Sequence, residues 1–211
     1  MNLHPRTMQL LAHAGLEPAE LDALAFTLPH GTPQAPRGFG LLGPTGTLKT
    51  STLVHVMAQL VERMVRRQPD PGRATLLWLD GEGVAHDARL RWVYWPKTAE
   101  MIRRRRWEKA WIEDWAEMAE EVPFLVLDDI GREQRDANDP AQEVLQRVLD
   151  ARHRRKRALW WTSNRTREEL STFYGGPFMS RLLGTWPDYD LGGHDRRLFP
   201  EDLKAAAGGE R

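Results

Sequence analysis

The sequence predicts an α/β fold, a parallel sheet flanked by helices with a phosphate-binding loop at the end of its first strand. Three observations carry this expectation. From residue 37 onward, short apolar runs alternate with amphipathic segments of helix length, the pattern of strands covered on both faces. One strand–turn–helix segment, Gly38 to Leu53, has the layout of a P-loop. A later apolar run ends in two adjacent carboxylates, Asp128 and Asp129, and ligands of parallel sheets sit outside the carboxyl ends of the strands.

Composition sets the bounds. At 211 residues the chain can bury a substantial core as one domain with a small appendage. Lys plus Arg and Asp plus Glu balance at 30 each, so any basic partner surface must be local. The absence of cysteine excludes disulfides and thiolate zinc sites, and fits a cytoplasmic protein without requiring one. The N-terminus lacks an apolar signal-peptide core and no run of 18 apolar residues exists, so a membrane is not an expected partner.

In chain order, residues 1–36 read as a helical extension and linker. Thr7 to Ala14 and Glu17 to Phe26 have helical patterns, with Pro18 suited to a first turn and Leu21, Leu24 and Ala25 on one apolar face. Pro29, Gly31, Pro33 and Pro36 make the linker. The extension is either a cap packed on the main domain or a docking element for a partner protein. The core is expected over 37–199, followed by a tail at 200–211.

The P-loop follows its short apolar strand: Gly43, Pro44, Thr45, Gly46, Thr47, Leu48, Lys49, Thr50 and Ser51. Backbone N–H groups of such a turn, with the helix dipole behind them, attract an anion. Lys49 would reach the β- and γ-phosphates of a nucleotide, and the Thr50 hydroxyl would hold Mg²⁺. The pattern G-x-x-x-x-G-K-[ST], started at Gly43, asks for glycine where this chain has Leu48. Either nucleotide binding is weakened or the loop carries the leucine on its outer side.

A helix is expected from Lys49 to Arg67, with Leu53, Val56, Met57, Leu60, Val61 and Met64 on its buried side, stopped by the Pro69–Gly72 turn. Strands are expected at Ala74–Leu79, Val122–Leu127 and Ala158–Thr162, with a helix at Ala141–Arg154. Asp128, ending the third strand, would complete the Mg²⁺ shell, and Asp129 would orient or deprotonate the attacking water. Asn164, at the end of the fourth strand, can hold that water or sense the γ-phosphate. Ser163-Asn164 read alone is equally a turn.

Two basic runs stand out. Arg103, Arg104, Arg105 and Arg106 are expected on a helix, and four in a row must display a positive patch. Trp107, Trp111 and Trp115 recur at helical spacing and share one face, more a core stripe than a base-stacking platform. With Arg89, Arg91, Trp92, Tyr94, Trp95 and Lys97 they make a basic–aromatic mixture suited to single-stranded nucleic acid. The acids Glu113, Asp114, Glu117, Glu120 and Glu121 could instead pair with these arginines. The second run, Arg152 to Arg157, closes a helix, where the dipole favours cations, and is read as structural.

Together, Gly43 to Thr50, Phe124 to Glu133, Thr162-Ser163-Asn164, Ser180-Arg181-Leu182 and Gly192 to Arg197 resemble the DnaC/IstB-type branch of the AAA+ ATPases, over about Arg37 to Phe199. The resemblance implies an AAA+-type P-loop core without a helical lid domain, using ATP and Mg²⁺. It also implies that Asn164 is a sensor and that Arg181 is an arginine finger acting in trans within a homo-oligomer. A surface arginine bound to a carboxylate is the plainer reading of Arg181. Arg196 or Arg197 would be a further phosphate-sensing arginine. The implied partners are DNA, single strands favoured by the basic–aromatic segment, and a replicative helicase or a transposase. Two roles stay open within the branch, a helicase loader and a transposition helper on duplex DNA. The short leader decides between neither. From a different class, Leu48 allows a non-hydrolysing, nucleotide-gated scaffold.

Overall fold

The computed structural model describes residues 3–25, 38–67, 77–79, 85–87, 90–134 and 139–192. The expected linker, the Pro69–Gly72 turn, Arg89 and the Gly193–Phe199 segment with Arg196 and Arg197 lie outside these residues. In chain order the elements are α1 (Pro5–His13), α2 (Pro18–Leu21), a 3₁₀ turn (Asp22–Ala25), β1 (Gly40–Leu42), α3 (Lys49–Arg67), β2 (Leu77–Leu79), β3 (Ala85–Asp87) and β4 (Leu90–Tyr94). They continue with α4 (Trp95–Arg104), α5 (Lys109–Glu121), β5 (Phe124–Asp128), α6 (Pro140–Arg154), β6 (Ala158–Ser163), α7 (Arg167–Tyr174), α8 (Gly176–Thr185) and β7 (Asp188–Asp190).

Five strands form one parallel sheet in the order β4-β5-β6-β1-β7. Period-two alternation sends each strand's side chains to opposite faces, and both faces are covered. Leu125, Leu127, Leu159 and Trp161 pack with α4 to α8 on one side. Phe124, Val126, Ala158 and Trp160 pack with α1 and α3 on the other. The indole of Trp161 lies so close over Gly40 that a Cβ there would fall 2.1 Å from a ring carbon, so β1 can approach β6 only with glycine at this position.

Two expectations need correction. The strand expected at Ala74–Leu79 does not join the main sheet where it is described. Leu77–Leu79 pairs antiparallel with Ala85–Asp87. The sheet's edge strand beside β5 is β4, whose Trp92 and Val93 are buried while Arg91 and Tyr94 face out. Its aromatic and β-branched residues, part of the expected cation–aromatic mixture, equally suit a half-buried strand. Second, the arginine run is not on one continuous helix. The backbone leaves helical geometry at Arg105–Glu108, between α4 and α5. Trp107 therefore leaves the expected stripe and is 80% exposed, while Trp111 and Trp115 pack against the core.

Residues 3–25 pack on α3 and on the edge of β4. The Thr7 hydroxyl donates to Glu62 of α3 (2.6 Å), and the Glu62 carboxylate also receives the His4 N–H (3.0 Å). The Trp92 N–H donates to the Ala14 carbonyl (2.7 Å), which satisfies a donor that an edge strand would otherwise leave open.

Candidate nucleotide site

The order of strands brings the predicted residues together. β6 lies between β1 and β5, so the carboxyl ends of three adjacent strands present the loop after β1, the carboxylates after β5 and the polar end of β6 side by side. Lys49 and Thr50 open α3. The Lys49 ammonium is buried and donates to the carbonyls of Gly43 and Pro44, both at 2.7 Å, and lies 3.3 Å from the Thr47 hydroxyl. Thr47 in turn donates to Pro44 O (2.9 Å). Gly46 has φ 82° and Gly43 φ 143°, while Pro44 and Thr45 are exposed and Ser51 is half-buried on the first turn of α3. Leu48 occupies the left-handed region with φ 65°, the conformation for which glycine is the natural choice at this place in the loop.

Asp128 accepts from the Thr50 hydroxyl (3.0 and 3.2 Å) and from the Thr162 hydroxyl (2.6 Å). Burial pushes its carboxyl up to about 6, against these hydrogen bonds and with help from the charges of Asp129 and of Glu20 on α2. A hydroxyl and a carboxylate in contact are hard oxygen donors of the kind Mg²⁺ takes. Thr50 and Asp128 therefore fit Mg²⁺.

Asp129 also has a left-handed backbone, φ 67°, a conformation Asp tolerates better than most residues. Its carboxylate accepts from the Asn164 amide (2.5 Å) and the Arg132 guanidinium (2.9 Å), and its N–H donates to Thr162 Oγ1 (2.8 Å). Tyr94, ending β4, stands beside it. Burial and the Asp129 charge raise the Tyr94 phenol above its ordinary value. Thr162, Tyr94 and Arg132 thus join the site beyond the residues expected from the sequence. Thr162 and Arg132 lie inside stretches that carry the resemblance, whereas Tyr94 acquires a role only through the register of β4 on β5.

The remaining candidates stand apart. Arg181 lies on the exposed side of α8 and pairs with Asp150 of α6 (2.8 Å). Arg103 is largely buried in a two-pronged contact with Asp139 (3.1 and 3.0 Å). Arg104 pairs with Glu100 (2.5 Å) and Arg105 with Glu108 (3.4 Å), both on the surface. Arg105 also lies over the Trp111 ring and Arg106 over Trp107, at 4.9 and 4.8 Å from the ring centroids. The acids of α5 turn elsewhere: Glu113 and Glu120 to Arg147, Glu120 and Glu121 to Arg155.

No family model and no curated protein sequence matches the chain. Experimentally determined structures do. DnaI aligns at TM-score 0.55 and 18% identity, over 90% of this chain and 84% of that one. The DnaC helicase loader aligns at 0.52 and 13%, over 92% and 94%. The replication initiator DnaA bound to AMPPCP and single-stranded DNA aligns at 0.52 and 15%, over 97% of this chain and 56% of that one. At such identities the likeness establishes the fold alone, the P-loop α/β fold that this chain shares with these structures.

Proposed function

We propose that this chain is an ATP-binding, Mg²⁺-dependent ATPase of DNA replication that places a replicative helicase on single-stranded DNA. The observation that carries the reading is the convergence of Lys49, Thr50, Asp128, Asp129 and Asn164 at the ends of three adjacent strands. The loop from Gly43 to Ser51 binds the phosphates, with Lys49 exchanging its carbonyl partners for phosphate oxygens. Thr50 and Asp128 hold Mg²⁺, which when bound neutralises charge on the β- and γ-phosphates. Asp129 takes the proton of, or orients, the attacking water, and Asn164 holds the Asp129 carboxylate in place. Arg181 leaves Asp150 to act on a neighbouring subunit's γ-phosphate in a homo-oligomer. The likeness to a helicase loader and to a replication initiator bound to single-stranded DNA supports the replication role.

For the nucleic acid, the knuckle between α4 and α5 offers Arg104, Arg105 and Arg106 around exposed Trp107. Arg103 contributes by fixing α4 to the start of α6. The test is ATP turnover with and without single-stranded DNA. Turnover should rise with DNA and vanish in Lys49→Ala. Trp107→Ala should keep basal turnover and weaken strand binding by about fivefold or more, the loss of one stacked base. Stimulation by duplex alone would turn the reading to a transposition helper. One observation favours a non-hydrolysing scaffold, the left-handed Leu48. That reading takes over if the wild type neither binds nor hydrolyses ATP.

A further inference from the structure

Glu133 and Tyr174 are buried residues with no part in the chemistry above; their polar groups meet at the Gly131 N–H, two residues after Asp129. The Gly131 N–H donates to Glu133 Oε2 (2.9 Å) and to the Tyr174 hydroxyl (3.0 Å), and that hydroxyl donates to Glu133 Oε1. On its other side, the Gly131 carbonyl accepts from Arg165 Nε. The Tyr174 ring is itself fixed, stacked on Phe178 at 4.2 Å and edge-on to Phe173 at 4.9 Å.

The turn they grip carries two left-handed residues, Asp129 at φ 67° and Gly131 at φ 83°. Glycine takes such a φ freely, so Asp129 alone carries the strain, and its conformation depends on what its surroundings hold in place. Ile130 is tied by its N–H to Thr162 O (2.9 Å) and by its carbonyl to the Ser163 hydroxyl (2.7 Å), which fixes the middle of the turn to β6. Gly131 is the remaining end, and the phenol and carboxylate are what hold its N–H. As a device for stability alone the arrangement is poor, because a buried carboxylate among neutral donors costs desolvation that an apolar pair would avoid.

We infer that Tyr174 and Glu133 are positioning residues that hold the Asp129 turn in shape, so that the Asp129 carboxylate faces its water; the catalytic consequence rests on the ATPase reading above. Tyr174 closes α7, and α8 with Arg181 begins two residues later. The same two hydrogen bonds therefore tie the turn to the placement of the helix pair that carries Arg181.

The experiment compares Tyr174→Phe, Glu133→Ala and Glu133→Gln in the full chain, reading Mg²⁺-ATP affinity, kcat and amide hydrogen exchange of residues 129–132. Phe keeps the stacked ring and removes only the hydroxyl. Tyr174→Phe and Glu133→Ala should leave affinity within about threefold, lower kcat by about tenfold or more, and speed exchange in the turn. Glu133→Gln, whose amide oxygen still accepts from Gly131, should recover most of kcat. An unchanged kcat, or a loss explained wholly by weaker nucleotide binding, overturns the inference. If the wild type has no turnover, the ATPase reading falls and exchange alone decides: faster exchange in Tyr174→Phe upholds the clamp, and unchanged exchange overturns it.

Discussion

At the scale of single residues, Leu48 and Asp128 are the informative ones. A left-handed leucine costs about 1–2 kcal/mol relative to a right-handed one, whereas glycine pays no such strain and instead loses more chain entropy on folding. Leu48→Gly should therefore change stability by no more than about 1 kcal/mol. Without the branched side chain beside the phosphates, it should raise ATP affinity and turnover several-fold. Equal kinetics in both forms would mean that the loop already carries the leucine harmlessly outside. Asp128 makes the opposite case, a native residue held at a cost. Its folded value of about 6 lies above the unfolded one, so its contribution to stability is fully present below about pH 4 and is lost as pH rises through 6. The nucleotide-free protein should melt progressively lower across that interval, and Asp128→Asn should remove this slope while abolishing hydrolysis. Mg²⁺ takes the ionised carboxylate, so the thermal shift produced by Mg²⁺-ATP should grow over the same range. A slope that survives in Asp128→Asn would assign it to another group.

Among the elements, the end of α6 shows why two arginine runs that look alike in the sequence differ in kind. Arg152 is fully buried and donates to the carbonyls of Ala119 (2.7 Å), Val122 (2.8 Å), Pro123 (3.3 Å) and Ala158. It joins the end of α5 to the starts of β5 and β6. Arg152→Met should cost about 3 kcal/mol or more, because four carbonyl contacts lose their donor together. The neighbouring exposed Arg154→Ala should stay within about 0.5 kcal/mol. Similar melting temperatures for the two variants would refute the anchoring role. The α4–α5 break is likewise an effect of the elements around it. Nothing in Arg105-Arg106-Trp107-Glu108 forbids a helix. Instead Arg103 fastens α4 to Asp139 at the start of α6, while Glu113 and Glu120 fasten α5 to Arg147 farther along the same helix.

For the whole molecule, the question is whether one chain holds a complete site. Lys49, Asp128, Asp129 and Asn164 come together within one chain, but Arg181 engages Asp150 on the flank. If Arg181 acts in trans, Lys49→Ala and Arg181→Ala should each be inactive alone. Mixed, they should regain a fraction of wild-type turnover, since some junctions then pair an intact loop with an intact arginine. No recovery in a mixture shown to co-assemble would confine Arg181 to its bond with Asp150. The N-terminal residues belong to this scale too. By packing on α3 and meeting the β4 edge they connect the extension to the strand that ends at Tyr94 beside Asp129.

The sequence alone determined the P-loop, the bounds of α3, the carboxylate pair after a buried strand and the polar end of the next. These are local features, written in contiguous residues by hydrophobic period, turn chemistry and side-chain type. Tertiary structure decided what no contiguous stretch encodes: that β4 pairs with β5 while Leu77–Leu79 pairs with Ala85–Asp87, that Trp107 leaves its stripe and Arg103 is tied down, that Tyr94 and Thr162 adjoin Asp129, and that Tyr174 meets Gly131. Those outcomes depend on which strand lies beside which and on partners far away in sequence, such as Tyr174 to Gly131 and Arg103 to Asp139. Contacts of that kind form only when the packed sheet brings distant segments together, so their energy has no signature in the order of residues.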